Sequence, residues 1–231
     1  MKLNRILSSV ALSALLVTPA AAQRQFDITT KPGAPVQSTM YGIFFEDINF
    51  GADGGLYAEM VENRSFEFPN RLMGWNTWGN VSVSSIKPAF DRNPNYVVLE
   101  PSGHREKSTG LENRGFFGMG LKKGMKYNFS VYGRLHLLNG KQAKIRVELV
   151  DENNNPMERK SITITNNQWK KYSVELTSKQ TLQKGYMRIF LEGNESVDLD
   201  HVSMFPADNW NGLRADLVKD LEDLHPGIFR F

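Results

Sequence analysis

Five carboxylates lie close together early in the chain: Glu46, Asp47, Glu59, Glu62 and Glu67. Two carboxylates can share acid/base work when their surroundings push their pKa values apart. Nothing in this spacing does that. Glu59 and Glu62 are three residues apart and would share one face of a helix. The pattern favours structural acids on a loop and short helix over a complete catalytic pair. Glu46 stands apart from the other four. It closes the run Met40-Tyr41-Gly42-Ile43-Phe44-Phe45, which is apolar throughout and ends in polar residues. A strand buried on both faces reads this way, with its working residues at its C-terminal end. Asp47 and Asn49 follow, and Asx residues at a strand-to-loop junction usually make turns. Arg230 sits in a second apolar stretch, Ile228-Phe229-Arg230-Phe231. It could hold carboxylates by bidentate hydrogen bonds or form an ordinary strand-end ion pair. Glu46 itself could pair with Arg64 or Arg230. The histidines, His104, His136, His201 and His225, are dispersed and suggest no metal cluster.

The elements that must position these groups follow from patterning. Lys2 and Arg5 precede an apolar run over residues 6–17, followed by Pro19 and Ala20-Ala21-Ala22. This predicts a signal peptide over residues 1–22, too short to span a bilayer and cleaved after Ala22. Export to the periplasm or beyond is the expectation, with no membrane association after cleavage. Lys2 and Arg5 supply two of the formal +3 charges, so the mature chain would carry +1. Basic residues are scattered, which argues against nucleic acid as a partner. The absence of cysteine excludes a disulfide framework, a thiolate metal site and a lipoprotein anchor.

Residues 23–71 are mixed and Gly-rich, with a short strand expected around Phe26, Ile28 and Thr30 and then the strand ending at Glu46. Residues 72–206 read as all-β. Tyr127, Phe129, Val131, Gly133, Leu135 and Leu137 alternate with polar neighbours, as do Ile145, Val147 and Leu149, then Ile162 and Ile164, then Met187, Ile189 and Leu191. Turn signals separate them at Asn139-Gly140, residues 151–156, Asn166-Asn167 and Lys184-Gly185. Short alternating strands with regular turns predict a sandwich or jelly roll. Residues 207–231 change period. Leu213, Leu217, Val218, Leu221 and Leu224 predict an amphipathic helix, capped by Asn211 and stopped by Pro226-Gly227, before a last apolar strand. A strand, a helix and a second strand around an all-β insert suggest a βαβ start. Ending inside an apolar strand predicts that the chain is truncated there.

The segments Tyr41-Gly42-Ile43-Phe44-Phe45-Glu46-Asp47-Ile48-Asn49, Gly54-Gly55-Leu56-Tyr57-Ala58-Glu59 and Glu62-Asn63-Arg64-Ser65-Phe66-Glu67 resemble glycoside hydrolase family 51, mostly α-L-arabinofuranosidases. So do Asn211-Gly212-Leu213-Arg214-Ala215-Asp216-Leu217 and Pro226-Gly227-Ile228-Phe229-Arg230-Phe231. Between them, residues 72–206 resemble an inserted carbohydrate-binding module of the family 4/9 type, most visibly in the closing strand Leu199-Asp200-His201-Val202-Ser203-Met204-Phe205.

The resemblance implies a mainly β chain: a jelly-roll sandwich inserted in the first β-α-β unit of an incomplete (β/α)8 barrel. It implies retaining hydrolysis of arabinose-containing polysaccharides such as arabinan or arabinoxylan by two carboxyl groups about 5–5.5 Å apart. Both would follow the second strand, so no catalytic residue is expected in this chain, which would be inactive alone. Glu46, Asn49 and Arg230 become substrate-binding candidates, Glu46 accepting hydrogen bonds from sugar hydroxyls. No cofactor is expected; modules of this type often hold a structural calcium, and no run of oxygen ligands here is specific for one. Among the aromatics, Trp75 and Trp78 lie in a Gly/Asn-rich stretch and are the candidates for stacking on sugar. Tyr132 and Trp169 fall in strand patterns and are assigned to the core. The alternatives are a non-catalytic carbohydrate-binding jelly roll and a module that meets protein.

Overall fold

The structure, a computed structural model, describes residue 28 and residues 30–102, 108–136 and 141–231. The expected signal peptide, Phe26, His104, Leu137 and the Asn139-Gly140 turn lie outside the described residues. The chain divides into two units, Met1–Val36 and Gln37–Phe231. In the first, Ile28 and Thr30 are exposed and belong to no strand, contrary to expectation.

The second unit contains strands β1 (Gly42–Phe44), β2 (Trp75–Trp78), β3 (Asn80–Ser84), β4 (Tyr96–Glu100), β5 (Gly110–Asn113), β6 (Met119–Leu121), β7 (Lys126–Leu135) and β8 (Ala143–Val150). It continues with β9 (Pro156–Ile164), β10 (Lys170–Thr177), β11 (Leu182–Glu192), β12 (Val197–Pro206), helix α1 (Ala215–Leu224) and β13 (Ile228–Arg230). One sheet has the order β10-β7-β12-β4-β3; the other runs β2-β5-β11-β8-β9, with β6 also on β11. Every strand pair in both is antiparallel.

Strand alternation builds the core. Tyr127, Phe129, Val131 and Leu135 of β7 meet Ile145, Val147 and Leu149 of β8, Met187 and Ile189 of β11, and Leu199 and Met204 of β12 in one buried cluster. Successive residues of a strand face opposite sides, so Asn128, Ser130, Tyr132 and Arg134 point the other way. The 151–156 turn is closed by Asp151, whose Oδ1 accepts the N–H groups of Asn153 and Asn155 at 2.8 Å each. Lys184-Gly185 is not a turn: both residues lie within β11, where its register with β6 shifts between Leu182 and Gly185.

The sandwich also reaches upstream of residue 72. Val61 and Phe66 belong to the same core. Strand β4 pairs β12 only at Val197, Asp198 and Leu199. Past that point the edge of β12 is taken by residues 60–64: Met60 N–H donates to Met204 O at 3.0 Å, and Val202 N–H donates to Arg64 O at 2.9 Å. The short helix expected at Glu59 and Glu62 does not form, because this segment's backbone is committed to β12.

β1 and β13 form a separate parallel pair, Gly42 opposite Ile228 and Phe44 opposite Arg230. α1 lies between them in sequence. Arg214, not Asn211, occupies its N-cap position, and Asp216 in the first turn pairs with Arg214. The helix ends at Leu224, and His225 takes the left-handed conformation before Pro226-Gly227.

Candidate functional site

The outward face of the β10-β7-β12 sheet forms a cleft of about 660 Å³. Its floor follows from strand register. Ser173 lies opposite Ser130, which lies opposite Ser203. One step along, Glu175, Asn128 and Phe205 form a second row; in the other direction, Lys171 lies beside Tyr132. Tyr57 and Arg64 line it from the upstream segment. Tyr57 meets Phe205 edge-on at 5.2 Å. Phe90 packs on both Tyr132, at 4.9 Å, and His201, at 4.3 Å.

His201 reaches this face because β12 is irregular between Asp200 and Ser203. Its φ of 45° turns the chain, and its N–H donates to Asp200 Oδ1 at 2.6 Å. Asp200 is fully buried beneath it. Burial raises its pKa, against the hydrogen bond and charge of His201, with a further push from Glu67. The wall residue Arg64 is held through Glu59, which is 3% exposed. Glu59 Oε1 accepts N–H groups from Val61, at 3.0 Å, and Met204, at 2.9 Å. Its Oε2 accepts the Ser203 hydroxyl at 2.7 Å and lies 3.5 Å from Arg64 Nη1. Burial pushes the Glu59 pKa up in spite of these donors.

The cleft therefore offers serine hydroxyls, an amide, two phenols, two cations, one carboxylate and aromatic surface. That set suits a ligand with many hydroxyls on a partly apolar ring. Among the described residues, no group of three or more His, Asp or Glu side chains could hold a metal ion.

The two tryptophans expected to stack on sugar are elsewhere. Trp75 is 7% exposed, packs on Phe66 at 5.3 Å and donates from Nε1 to Asn63 O at 3.0 Å. It is a core residue, because the upstream segment folds over it. Trp78 faces outward on the other sheet, against Phe190 at 5.2 Å and across Gly110, where any Cβ would meet the indole. Conversely, Tyr132 and Trp169 are not core. Tyr132 lines the cleft. Trp169 precedes β10, lies under the Arg134 guanidinium at 4.5 Å and donates to Lys87 O. The parity of β7 carried the signal for Tyr132, since it lies one residue out of step with Val131. No local pattern marks Tyr57 or Arg64.

Glu46 and Arg230 lie at the same end of the parallel pair: Phe45 N–H donates to Arg230 O at 2.8 Å. Both side chains are exposed, and the Arg230 guanidinium lies over Phe44 at 5.1 Å. Among the described residues no ion pair joins Glu46 to Arg64 or Arg230. Asn49 has a φ of 52°, and Asp47 Oδ1 accepts Ala52 N–H at 3.1 Å, the turn chemistry expected of Asx residues there. Neither Asn49 nor the Glu46–Arg230 pair contributes to the cleft lining.

The carbohydrate binding domain family CBM_4_9 matches residues 58–197. The chain belongs to this family. The match starts where the upstream segment joins the edge of β12. The wider chain is 35% identical to an extracellular exo-α-L-arabinofuranosidase of Streptomyces chartreusis, covering 97% of this chain and 28% of that protein. It is 29% identical to α-L-arabinofuranosidase 1 of Arabidopsis thaliana, over 91% of this chain and 33% of that one. A solved arabinose-bound GH51 α-L-arabinofuranosidase superposes with a TM-score of 0.73 at 27% identity, covering 87% of this chain and 35% of its own. This carbohydrate-binding-domain chain thus spans about a third of the length of the arabinofuranosidases it matches.

Proposed function

We propose that the cleft binds arabinose-containing polysaccharide or oligosaccharide, as the sugar-holding module of an exported, retaining α-L-arabinofuranosidase. The observation that carries this reading is the cleft itself: Ser130, Ser173 and Ser203 in a row, flanked by Tyr57, Tyr132 and Phe205. The enzymatic part is supported by the similarity to arabinofuranosidases along the chain. In that context β1, α1 and β13 are the first β-α-β unit of a (β/α)8 barrel, with the sandwich inserted between β1 and α1. Glu46, Asn49 and Arg230 then contact the substrate of the barrel, and the 231 residues alone hold and orient sugar without hydrolysing it. Residues 1–22 are a cleaved signal, and the protein works in the periplasm or outside the cell. Among the described residues, no helix is long and apolar enough to cross a membrane.

Calorimetric titration of the chain with arabinoxylan, arabinan and β-glucan tests the cleft. Binding to an arabinose-containing chain, weakened roughly tenfold or more in Tyr132→Ala, is expected for loss of one stacked or hydrogen-bonded aromatic. Binding to none of the three would remove the reading. An aryl arabinofuranoside assay tests the rest: turnover by this chain, abolished in Glu46→Ala, would overturn the non-hydrolytic role. A second reading, a binding protein with no enzymatic role, is favoured by the fact that every cleft residue lies within residues 57–205.

A further inference from the structure

We infer that this cleft selects glycans bearing carboxylates, that is, chains substituted with uronic acid, over neutral chains of the same backbone. The inference rests on the cleft being the glycan site, and adds the chemistry of the preferred ligand.

The cleft is lined by two cations, Arg64 and Lys171, and one acid, Glu175. Glu175 is already committed, with its Oε1 2.9 Å from Lys126 Nζ. Lys171 is exposed and has no ion pair among the described residues. Among the described residues the Arg64 guanidinium has only a long ion-pair contact, 3.5 Å to Glu59 Oε2, and that oxygen already accepts the Ser203 hydroxyl at 2.7 Å. Glu59 Oε1 is occupied by two backbone N–H groups. The guanidinium carries five N–H donors in a planar fork, and the Arg64 side chain is 38% exposed. Among the described residues most of those donors have no protein acceptor, and Arg64 lines the cleft. A carboxylate is the group that such a fork takes with two parallel bonds.

Position strengthens the case. Lys171 sits on β10, and Arg64 sits beyond β12 on the far side of β7. Three strand spacings separate them, roughly 15 Å. A chain lying on the serine row between the walls meets a cation on either side. The Arg64 backbone is fixed by the Val202 N–H bond, so less freedom is lost when its side chain engages a ligand.

The test compares two arabinoxylo-oligosaccharides of equal length and equal arabinose content, one without uronic acid and one carrying a single glucuronate, titrated into the full 231-residue chain. The glucuronate form is expected to bind roughly tenfold more tightly, the increment of one good charge-assisted pair. That ratio should fall toward one in about 0.5 M NaCl, where screening is severe. It should also fall in Lys171→Gln and in Arg64→Gln. Lys171 is exposed, so its variant keeps the test valid if Arg64→Gln does not fold. Equal affinity for both oligosaccharides, or a ratio indifferent to Lys171→Gln and to salt, would overturn the inference and leave the cleft as a neutral-sugar site. Binding of neither would overturn the cleft assignment and this inference with it.

Discussion

Glu59 and Ser203 meet through a 2.7 Å hydrogen bond across 144 residues of sequence. The same carboxylate accepts the N–H of Met204, two strand-edge groups being met by one side chain, and caps the N–H of Val61 from its own segment. This one buried acid joins the upstream segment to β12 and thereby sets Arg64 and Ser203 in the wall and floor of the cleft. The site depends on a residue that does not line it.

Glu59→Ala leaves two buried N–H groups and a hydroxyl without their acceptor. Each such group costs about 1–3 kcal/mol, so a loss of roughly 3 kcal/mol or more is expected. Glu59→Gln retains an acceptor and should cost about 1 kcal/mol. Urea denaturation at neutral pH distinguishes them. Equal losses for the two variants would mean that the hydrogen bonds do not hold the segment.

The sign of the pH dependence follows from burial. Glu59 has a pKa above its ordinary value of 4.5, mainly through desolvation, so the folded state binds the proton more tightly than the unfolded chain. Its contribution is fully present below 4.5 and is lost as pH rises through the raised value. Glu112 and Glu192 work in the opposite direction. Burial raises their pKa, but hydrogen bonds from Arg114, Arg188 and Asn76 to the first, and from Arg146 to the second, outweigh it. Comparison with Glu59→Gln isolates the Glu59 part. The stability difference between wild type and variant should move toward wild type as pH is lowered from 7 to 4.5. Movement the other way would mean that its hydrogen-bond donors outweigh its burial.

Trp75 and Tyr132 should separate stability from binding. Trp75→Ala removes a core aromatic and is expected to cost about 3–5 kcal/mol. Tyr132→Ala removes a half-buried ring and should cost about 1 kcal/mol while weakening glycan affinity. Denaturant melts and glycan titrations on the same two proteins check both halves. A stable Trp75→Ala protein with lost binding would reverse the assignment.

Arg134 anchors the loop after β3. Its Nε donates to Asp198 Oδ2 at 2.7 Å, and its Nη atoms donate to Lys87 O at 2.8 Å and Ile86 O at 3.1 Å. The Asp198 side chain is 1% exposed, and its other oxygen lies 2.6 Å from His136 Nδ1. Arg134→Met leaves that buried carboxylate with His136 alone and should cost about 3 kcal/mol. Adding Asp198→Asn should restore part of the loss, giving a coupling above about 1 kcal/mol in a double-mutant cycle. Simple additivity would show that the pair is not a unit.

Much of the fold was legible from residue order. The alternation over β7, β8, β9 and β11 predicted strands with the observed inward residues, and the 3.6-residue period predicted α1. The motifs around Glu46 and Arg230 point to the arabinofuranosidase relatives from sequence alone. The site was less legible. Trp75 and Trp78 lie in a stretch whose composition reads as surface, yet Phe66 and Asn63 fold over one and Phe190 and Gly110 hold the other. Lys184-Gly185 reads as a turn and is absorbed by the irregular β6–β11 pairing.

Periodicity determined that Tyr132 and Val131 face opposite sides of one strand, because successive residues alternate by local geometry alone. It did not determine which side is covered. That depends on which distant strands pack against the sheet, and here β8, β9 and β11 cover the Val131 side and leave the Tyr132 side to the cleft. The pairing of Glu59 with Ser203 and of Met60 with Met204 is a property of the folded chain. Backbone groups left open where β4 ends had to find partners, and the upstream segment supplied them. Sequence alone therefore determined the class of element and the family; only the packing of remote segments decided where the cleft lies and which side chains enter it.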